Sequence, residues 1–333
     1  MNPITHLTVP EHYTYRPARL DDVPAVHQLL QAIAAQNPHN YAPTLADVQR
    51  DFADPWANPE TDARVALTAE GVVAAYAHFI ANPDPAQAAR AYLDEDIHPA
   101  HRDRGLEEPL LDWLEARAAE RLREIVAAHP MLQPPVMVLS CWDTEPDRIA
   151  RYQRRGFQPV RHSYRMRRDL SQPLPDRPLP SGLTLCGYQP EIDERIRQAF
   201  NESFGDGWSF EPYSPLDWQL FFVQYSPFRP DLSFAILDGN EVAAFSMNRF
   251  DADEAERTGF KAGWIGSLGT RRRWRKRGLA SALLAASMRA FQAAGLEYAG
   301  LGVDTQNPTG ALGLYEGLGF KPYIRSTRFQ KTL

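Results

Sequence analysis

The spacing of apolar residues alternates along the chain between helical and strand-like, which predicts an α/β fold. Apolar residues recur at helical spacing between Asp21 and Ile33. Two strand-like runs, ARVALTA and VVAAYAHFI, lie on either side of Glu70 and Gly71 and indicate a hairpin. The remaining elements of the first half are the strand AYLDEDI, a helix from about Leu106 to Ala128 and the apolar strand VMVLSC.

The second half repeats this order of elements. It reads as LTLCGY, a helix near Glu191 to Phe204, the strands DLSFAIL and EVAAFSMNRF, then GWIGSLG, a helix from about Lys276 to Ala294, and YAGLGVD. Between the halves, the stretch SQPLPDRPLPSG contains four prolines, which disfavour both helix and central strand. We therefore expect two domains, 13–170 and 183–333, joined by a linker over 171–182.

Two pairs of similar segments strengthen the internal repeat. The segment HRDRGLEEPLL around Gly105 matches WRKRGLASALL around Gly278. The segment YQRRGF, which begins at Tyr152, matches YEGLGF, which begins at Tyr315. A repeat that includes glycines and an aromatic residue in the same order indicates two copies of one fold.

Composition narrows the class of protein. The chain has 44% hydrophobic and 23% charged residues, and no apolar run approaches the length that spans a bilayer. MNPITHLTVPEHYTYRP lacks a secretory pattern, and two cysteines suggest no disulfide framework, so we expect a cytoplasmic protein without a membrane segment. A formal net charge of -6 argues against binding to nucleic acids.

One short basic stretch contrasts with the negative net charge. The sequence RRRWRKRGLASALL, from Arg271 to Leu284, runs directly into a predicted helix. The first amides of a helix lack internal partners and form an anion site, and the small residues Gly278, Ala280 and Ser281 let a pyrophosphate approach the backbone. We interpret the stretch as a local phosphate clamp rather than as a nucleic-acid patch.

The residues around this stretch resemble a known family. RKRGLA, from Arg275 to Ala280, matches the RxxGxA acetyl-CoA loop of the GNAT superfamily, and NPTGALGLYEGLGF, from Asn307 to Phe320, resembles its second signature. The resemblance covers nearly the whole chain as two copies. It implies an α/β fold of two tandem GNAT-type domains, each a mixed central sheet flanked by helices. It also implies an N-acetyltransferase in which an amine attacks acetyl-CoA directly within a ternary complex.

The resemblance also assigns expected roles to residues of the second half. Tyr315 stands where the family places the general acid for the departing thiolate, although a core aromatic beside Phe320 is the alternative. Asn307 could equally cap the helix that follows it. The expected acetyl-CoA contacts are Leu268, Gly269, Thr270, Arg275, Lys276, Arg277, Gly278, Leu279, Ala280, Ser281 and Asn307.

The first copy departs from the family pattern. Glu107 takes the place of Ala280, so its carboxylate would repel a pyrophosphate, and Pro109 removes a donor from the early helix. The second signature keeps Tyr152 but has no asparagine in the register of Asn307. We expect this half to be degenerate and the chain to bind one acetyl-CoA.

The acceptor amine is not identified by the sequence. GWIGSLG carries no acid where many family members place a base, which leaves Glu202, Asp206, Glu211 and Glu254 as candidates. The aromatic stretch 203–218 lies where the fold builds an acceptor lid, but its Trp208, Phe210 and Tyr213 fit a core slightly better.

Two further expectations concern metals and partners. A proline lies between His98 and His101, and no cysteine or carboxylate completes a zinc pattern with them, so no metal is expected. We expect a small-molecule or peptide amine as partner and a monomer or homodimer. A non-catalytic acyl-CoA-binding or scaffold protein is the alternative function.

Overall fold

The structure is a computed structural model that describes residues 10, 12–36, 42–54, 56–208, 210–225, 227–307 and 309–333. Most of the segment before Tyr13, in which the sequence shows no secretory pattern, lies outside the described residues. By their contacts the residues form two compact units. Unit 1 comprises the described residues up to Val160 together with Ser326–Leu333, and unit 2 comprises Arg161–Arg325.

Unit 1 is built on a mixed sheet. Its strands are β1 (Tyr13–Pro17), β2 (Ala63–Thr68), β3 (Val73–Ala81), β4 (Ala88–Ile97), β5 (Gln133–Trp142) and the second part of β12 (Lys321–Thr332). The order is β1-β2-β3-β4-β5-β12, and β4 and β5 form its parallel pair, with antiparallel neighbours on both sides. The parallel pairing ends at Tyr92↔Val138, although both strands continue.

Helices cover this sheet with two separate apolar clusters. They are α1 (Val23–Gln36), α2 (Leu45–Phe52), α3 (Pro59–Asp62), α4 (Glu107–Ala128) and α5 (Pro146–Arg154). The helix α1 buries Val26 and Leu29 in one cluster, whereas α4 buries Leu110 and Leu114 in the other. Burying such side chains on both faces of the sheet is the main source of stability of the fold.

Unit 2 repeats the same plan. Its strands are β6 (Gln158–Asp169, from Arg161 on), β7 (Thr184–Gly187), β8 (Phe234–Asp238), β9 (Glu241–Arg249), β10 (Ala262–Thr270) and β11 (Tyr298–Asp304). The order is β7-β8-β9-β10-β11-β6, with β10 and β11 as the parallel pair. Its helices are α6 (Asp193–Phe204), α7 (Pro215–Trp218), α8 (Ala252–Thr258), α9 (Leu279–Ala293) and α10 (Ala311–Gly317).

The expected mixed sheet flanked by helices is confirmed in both units. The predicted hairpin at Glu70 and Gly71 and the four predicted helices, now α1, α4, α6 and α9, lie where they were expected, with ends that differ by up to three residues. The pattern did not give bounds for the short helices α2, α3, α5, α7 and α8. No helix within the described ranges is long and apolar enough to cross a membrane.

The boundaries of the two compact units differ from those of the two halves of the sequence repeat, 13–170 and 183–333. The strand β6 precedes the proline-rich stretch 171–182, yet its residues from Ser163 to Asp169 pair with β11 of unit 2. The strand β12 follows unit 2 in sequence, yet Ser326–Thr332 pairs with β5 of unit 1. Each unit therefore completes its sheet with a strand from the other half of the repeat.

Candidate active site

The two parallel strands of unit 2 separate at their carboxyl ends. Their ladder runs from Ala262↔Tyr298 to Ile265↔Leu301, after which β10 stays paired with β9 and β11 with β6. Gly266 is an extra residue opposite β9, because Ile265 pairs with Asn248 and Ser267 with Met247. Such a bulge bends a strand and ends regular pairing. A cleft thus opens between the second halves of β10 and β11.

The second half of β10 has no room for a side chain at one position, Gly269. A Cβ at Gly269 would lie 2.3 Å from the Phe245 ring, so this position requires glycine. Leu268 beside it is partly buried. The expected contacts Leu268, Gly269 and Thr270 therefore lie on the edge of β10 that faces the cleft, where backbone groups are free of ladder pairing to β11 within the described part of the chain.

The loop after β10 has an unusual backbone. Lys276 has φ 61° and Gly278 has φ 81°, and the helix α9 follows at Leu279. The first helical bond outside the turn is donated by Ala282 to the carbonyl of Gly278, so the preceding amides have no intrahelical acceptor. Consecutive amides in such a turn form an anion-binding concavity. The loop fits a pyrophosphate through its backbone.

The basic run is largely engaged by carboxylates of unit 2. The shortest donor–acceptor distances are 2.6 Å for Arg271–Glu202, 2.5 Å for Arg272–Asp206, 3.0 Å for Arg273–Glu241 and 3.1 Å for Arg275–Asp206. Arg275 also donates to the Thr270 and Ser203 carbonyls. Lys276 and Arg277 are exposed and make no ion pair among the described residues. The side chains of Lys276 and Arg277 are thus exposed to solvent, whereas the other four arginines hold the loop through their ion pairs.

These ion pairs affect two of the four candidate bases. Burial would raise the pKa of Glu202, but hydrogen bonds from Arg271 and Arg272 hold that pKa below its usual value. The hydrogen bonds from Arg272 and Arg275 lower the pKa of Asp206. Both carboxylates are therefore weak proton acceptors that hold the loop. Glu211 is partly buried.

Glu254 differs from these carboxylates. It lies on α8, and burial raises its pKa although Arg165 and Arg249 act in the opposite direction. A raised pKa makes a carboxylate a better proton acceptor near neutral pH. The raised pKa distinguishes Glu254 from Glu202 and Asp206, whose pKa values are lowered.

Tyr315 lies on α10 with 8% of its surface exposed, in an apolar cluster with Phe320. The two ring centroids are 6.2 Å apart at 63°, so the ring also has a packing role. Burial raises the pKa of Tyr315 to about 12, which keeps the phenol protonated. The side chain of Asn307 accepts hydrogen bonds from the amide and hydroxyl of Thr309, so it supports the turn before α10.

The aromatic stretch after α6 divides into two groups. Phe210 and Tyr213 pack against the cluster around Phe200, in agreement with the core interpretation. Trp208 instead lies against the guanidinium of Arg161, whose carbon is 5.4 Å from the ring centroid. The contact of Trp208 with β6 was not evident from the sequence, because it joins residues far apart in the chain.

The loop of unit 1 has the same backbone as that of unit 2. Asp103 has φ 58° and Gly105 has φ 83°, and Asp103 and Lys276 are the two non-glycine residues with positive φ in the described part of the chain. Two residues after the glycine, unit 1 has Glu107, and its carboxylate accepts a 2.8 Å hydrogen bond from the Asp103 amide. A side-chain anion therefore occupies the loop of unit 1.

A second charged side chain lies between β4 and β5 of unit 1. Arg148 donates to the hydroxyl of Tyr152 at 3.1 Å, to the Glu95 carbonyl at 3.4 Å and to the Glu145 carboxylate at 3.2 Å. The Tyr152 hydroxyl donates to Glu95 at 3.3 Å. The Arg148 guanidinium thus donates to oxygens at the place where the strands separate. The Tyr152 side chain beside it is fully buried.

The corresponding positions of unit 2 carry uncharged side chains, two of which are alanine. Counted from the signature glycine, Glu107 corresponds to Ala280, and counted from the signature tyrosine, Arg148 corresponds to Ala311. Glu95, ten residues before Gly105, corresponds to Leu268. Unit 1 therefore fills with charged side chains a cleft that unit 2 leaves open.

Comparison with known proteins agrees with this geometry. Residues 194–320 match the model of the Acetyltransferase (GNAT) family. The chain is 28% identical to a mycothiol acetyltransferase of Salinispora tropica, over 87% of this chain and 94% of that protein. It is 29% identical to a mycothiol acetyltransferase of Acidothermus cellulolyticus, over 78% of this chain and 76% of that protein.

Two solved structures share the fold over nearly the whole chain. A GCN5-related N-acetyltransferase from Sphaerobacter thermophilus has a TM-score of 0.72 and 24% identity, with 98% of this chain and 97% of that chain covered. A tandem GNAT protein from the clavulanic acid biosynthesis pathway has a TM-score of 0.70 and 14% identity, with 96% and 98% covered.

Fold and relatives together define a tandem GNAT protein. The chain is an N-acetyltransferase that is similar to mycothiol acetyltransferases. Acetyltransferases of this family use an acyl-CoA as donor.

Proposed function

We propose that unit 2 transfers an acetyl group from acetyl-CoA to the amine of a small-molecule acceptor, and that unit 1 binds no acetyl-CoA. The observation that carries this proposal is the contrast between the two clefts. Ala280 and Ala311 leave the loop and the strand gap of unit 2 open, whereas Glu107 and Arg148 fill those of unit 1.

The residues of unit 2 have separate parts in this proposal. Acetyl-CoA supplies an activated thioester when it is bound. The amides from Lys276 to Ser281 hold its pyrophosphate, and the exposed Lys276 and Arg277 add charge. The backbone edge of Leu268 to Thr270 orients the pantetheine and offers a donor to the thioester oxygen. Positioning of two reactants in one cleft supplies much of the rate.

Two side chains transfer protons in this scheme, one as donor and one as acceptor. Tyr315 keeps its phenolic proton because burial raises its pKa to about 12, and it delivers that proton to the leaving thiolate. The carboxylate of Glu254 is the base best suited to accept a proton from the amine, directly or through water. The relatives named mycothiol acetyltransferase support a small-molecule amine as the acceptor class.

The experiment is a titration of the purified protein with acetyl-CoA in a calorimeter, followed by thiol release with a panel of amines. We expect saturable binding of one acetyl-CoA per chain and turnover with at least one amine. Tight binding without turnover for any amine would favour a non-catalytic acyl-CoA-binding protein. Absence of saturable binding would contradict the cofactor assignment itself.

A further inference from the structure

Arginines occupy alternate positions along β6 of unit 2. Arg161, Arg165 and Arg167 lie two or four residues apart, so their side chains leave the same face of the sheet. Arg249 joins them from the end of β9. The guanidinium carbons of Arg165 and Arg249 lie 5.4 and 5.6 Å from the ring centroid of Trp264.

This face is open beside the arginines. In the β6–β11 ladder Arg165 pairs with Gly302, and a Cβ at Gly302 would meet no atom within 4 Å. Gly266, across the cleft on β10, is also exposed. The ring of Trp264 lies over Gly300 and forms a floor, with a Cβ at Gly300 only 3.0 Å from the ring. Glycines thus leave room next to cationic side chains.

Two of these arginines contact aromatic rings and have no carboxylate within ion-pair distance among the described residues. Arg167 lies over the rings of Phe260 at 4.0 Å and Tyr298 at 4.7 Å, and Arg249 donates to the Tyr225 hydroxyl at 3.3 Å. Within the described residues neither has a carboxylate within 4.0 Å, unlike the arginines of the loop before α9. Guanidinium groups stacked on rings keep their edge donors for an anion.

The acids near this face do not balance its charge. Glu254 lies near Arg165 and Arg249, and Asp251 lies near Glu254. Asp304 lies 3.7 Å from Arg161 at the other end of the row. Arg257 also acts on Glu254. The arginines therefore outnumber the three carboxylates, and burial disfavours the charged form of one of these, Glu254. A partly buried surplus of positive charge favours an anionic ligand.

We propose that this face holds the anionic group of the acceptor, which is an amine that also carries a carboxylate or a phosphate. The inference rests on the function proposed above for unit 2. Arg165 lies level with Gly302 of β11, and Leu268 lies about two residues further along β10, roughly 7 Å at the rise of a strand. The strands β6 and β10 are separated by β11, which adds two strand spacings, roughly 10 Å, and the long Arg165 side chain spans part of this separation. The acceptor therefore needs a linker of several atoms between its anion and its amine.

The test compares matched amines by the initial rate of thiol release. The amine 6-aminohexanoate is paired with its primary amide, and glucosamine 6-phosphate with glucosamine, so that carboxylate and phosphate are tested separately on linkers of several atoms. We expect kcat/KM for at least one anionic member to exceed that of its neutral partner by about tenfold or more, because hydrogen bonds to charged groups are strong.

Arg167→Gln and Arg249→Gln should each remove most of this preference. Arg289→Gln, at an exposed position of α9, is the matched control and should keep it. A second readout is calorimetric titration with inorganic phosphate in the presence of CoA, where the two variants should lose the binding that the control retains. The Kd of acetyl-CoA should stay the same in all three variants.

The outcomes separate this inference from the proposed function. Turnover with equal or better rates for the neutral amines, and no loss of phosphate binding in the variants, would overturn the anion site and leave the acetyltransferase standing. A raised Kd for acetyl-CoA in Arg167→Gln or Arg249→Gln would assign the arginines to the cofactor instead. Phosphate binding without turnover for any amine would contradict the proposed catalysis while supporting the anion site.

Discussion

The carboxylate of Glu107 accepts a hydrogen bond from the backbone amide of Asp103, within a loop that has the same pair of positive φ angles as the loop before α9. A side chain thus occupies in unit 1 the place that a phosphate oxygen is proposed to occupy in unit 2. This relationship explains in atomic terms why one copy of a repeated loop is closed.

Ala280→Glu should transfer this closure to unit 2. The new carboxylate would lie near the amide of Lys276 and repel a pyrophosphate. Two unit charges about 4 Å apart near a surface interact by about 4 kcal/mol, so we expect the Kd of acetyl-CoA to rise about 100-fold or more. Calorimetry measures the Kd, and Glu107→Gln is the control, which should leave it unchanged. Unaltered affinity in Ala280→Glu would place the pyrophosphate elsewhere.

The stoichiometry of binding should be one acetyl-CoA per chain. In unit 1 Arg148 bonds the Glu95 carbonyl, where a pantetheine would need the strand edge, and Glu107 occupies the loop. Titration of the wild-type protein should therefore give a single site. Two sites of equal affinity would contradict the assignment of unit 1.

Tyr315→Phe should lower kcat by roughly 100-fold without changing the Kd of acetyl-CoA, since it removes a proton donor and keeps the ring. A loss of about tenfold would still support the role, because a thiolate is weakly basic. The measurement is the rate of thiol release at saturating substrates.

Tyr152→Phe provides the matched comparison in unit 1. It should leave kcat nearly unchanged but reduce stability by about 1–3 kcal/mol, because the buried hydroxyl bonds Arg148 and Glu95. Equal losses of activity in both variants, or full activity in Tyr315→Phe, would show that Tyr315 is not the acid.

The pH profile should reflect the raised pKa of Tyr315. Burial moves this pKa upward to about 12, so the phenol keeps its proton at lower pH and loses it only near that value. We therefore expect kcat not to fall before about pH 10, the ordinary pKa of a tyrosine. A fall with a midpoint near pH 9 would be incompatible with Tyr315 as a buried acid.

Asp206→Asn should weaken acetyl-CoA binding less than Ala280→Glu does. Asp206 pairs with Arg272 and Arg275 and so holds the loop, but exposed ion pairs contribute little each. We expect a two- to fivefold rise in Kd, about what such a pair is worth, that shrinks in high salt. Asp231→Asn, which removes an exposed pair with Arg229, should have no effect on the Kd.

The long-range order of the fold was predictable from the sequence because the repeat carries its own signatures. Apolar periodicity predicted the hairpin and α9, and Gly278 marked the left-handed turn before α9. The pattern did not give the bounds of α5 or α8, because short helices with few apolar residues have no clear period.

The partners of charged side chains were less predictable. Nothing in the spacing of the basic run shows that Glu202, Asp206 and Glu241 neutralise it, since these acids lie 30 or more residues away in the chain. Arg148 was likewise not recognised as the residue that fills the gap of unit 1. The register of Arg148 with Ala311, counted from the signature tyrosines, was the available signal.

The pairing of Ser326–Thr332 with β5 has a consequence for biosynthesis. A ribosome produces the first 160 residues long before it produces the strand that completes their sheet, so β5 keeps an open edge during most of translation. Exposed strand edges invite pairing with other chains. A fragment that stops within the proline-rich stretch 171–182 should therefore aggregate, and mixing two separately made halves should restore a folded protein only when both strands, β6 and β12, are present.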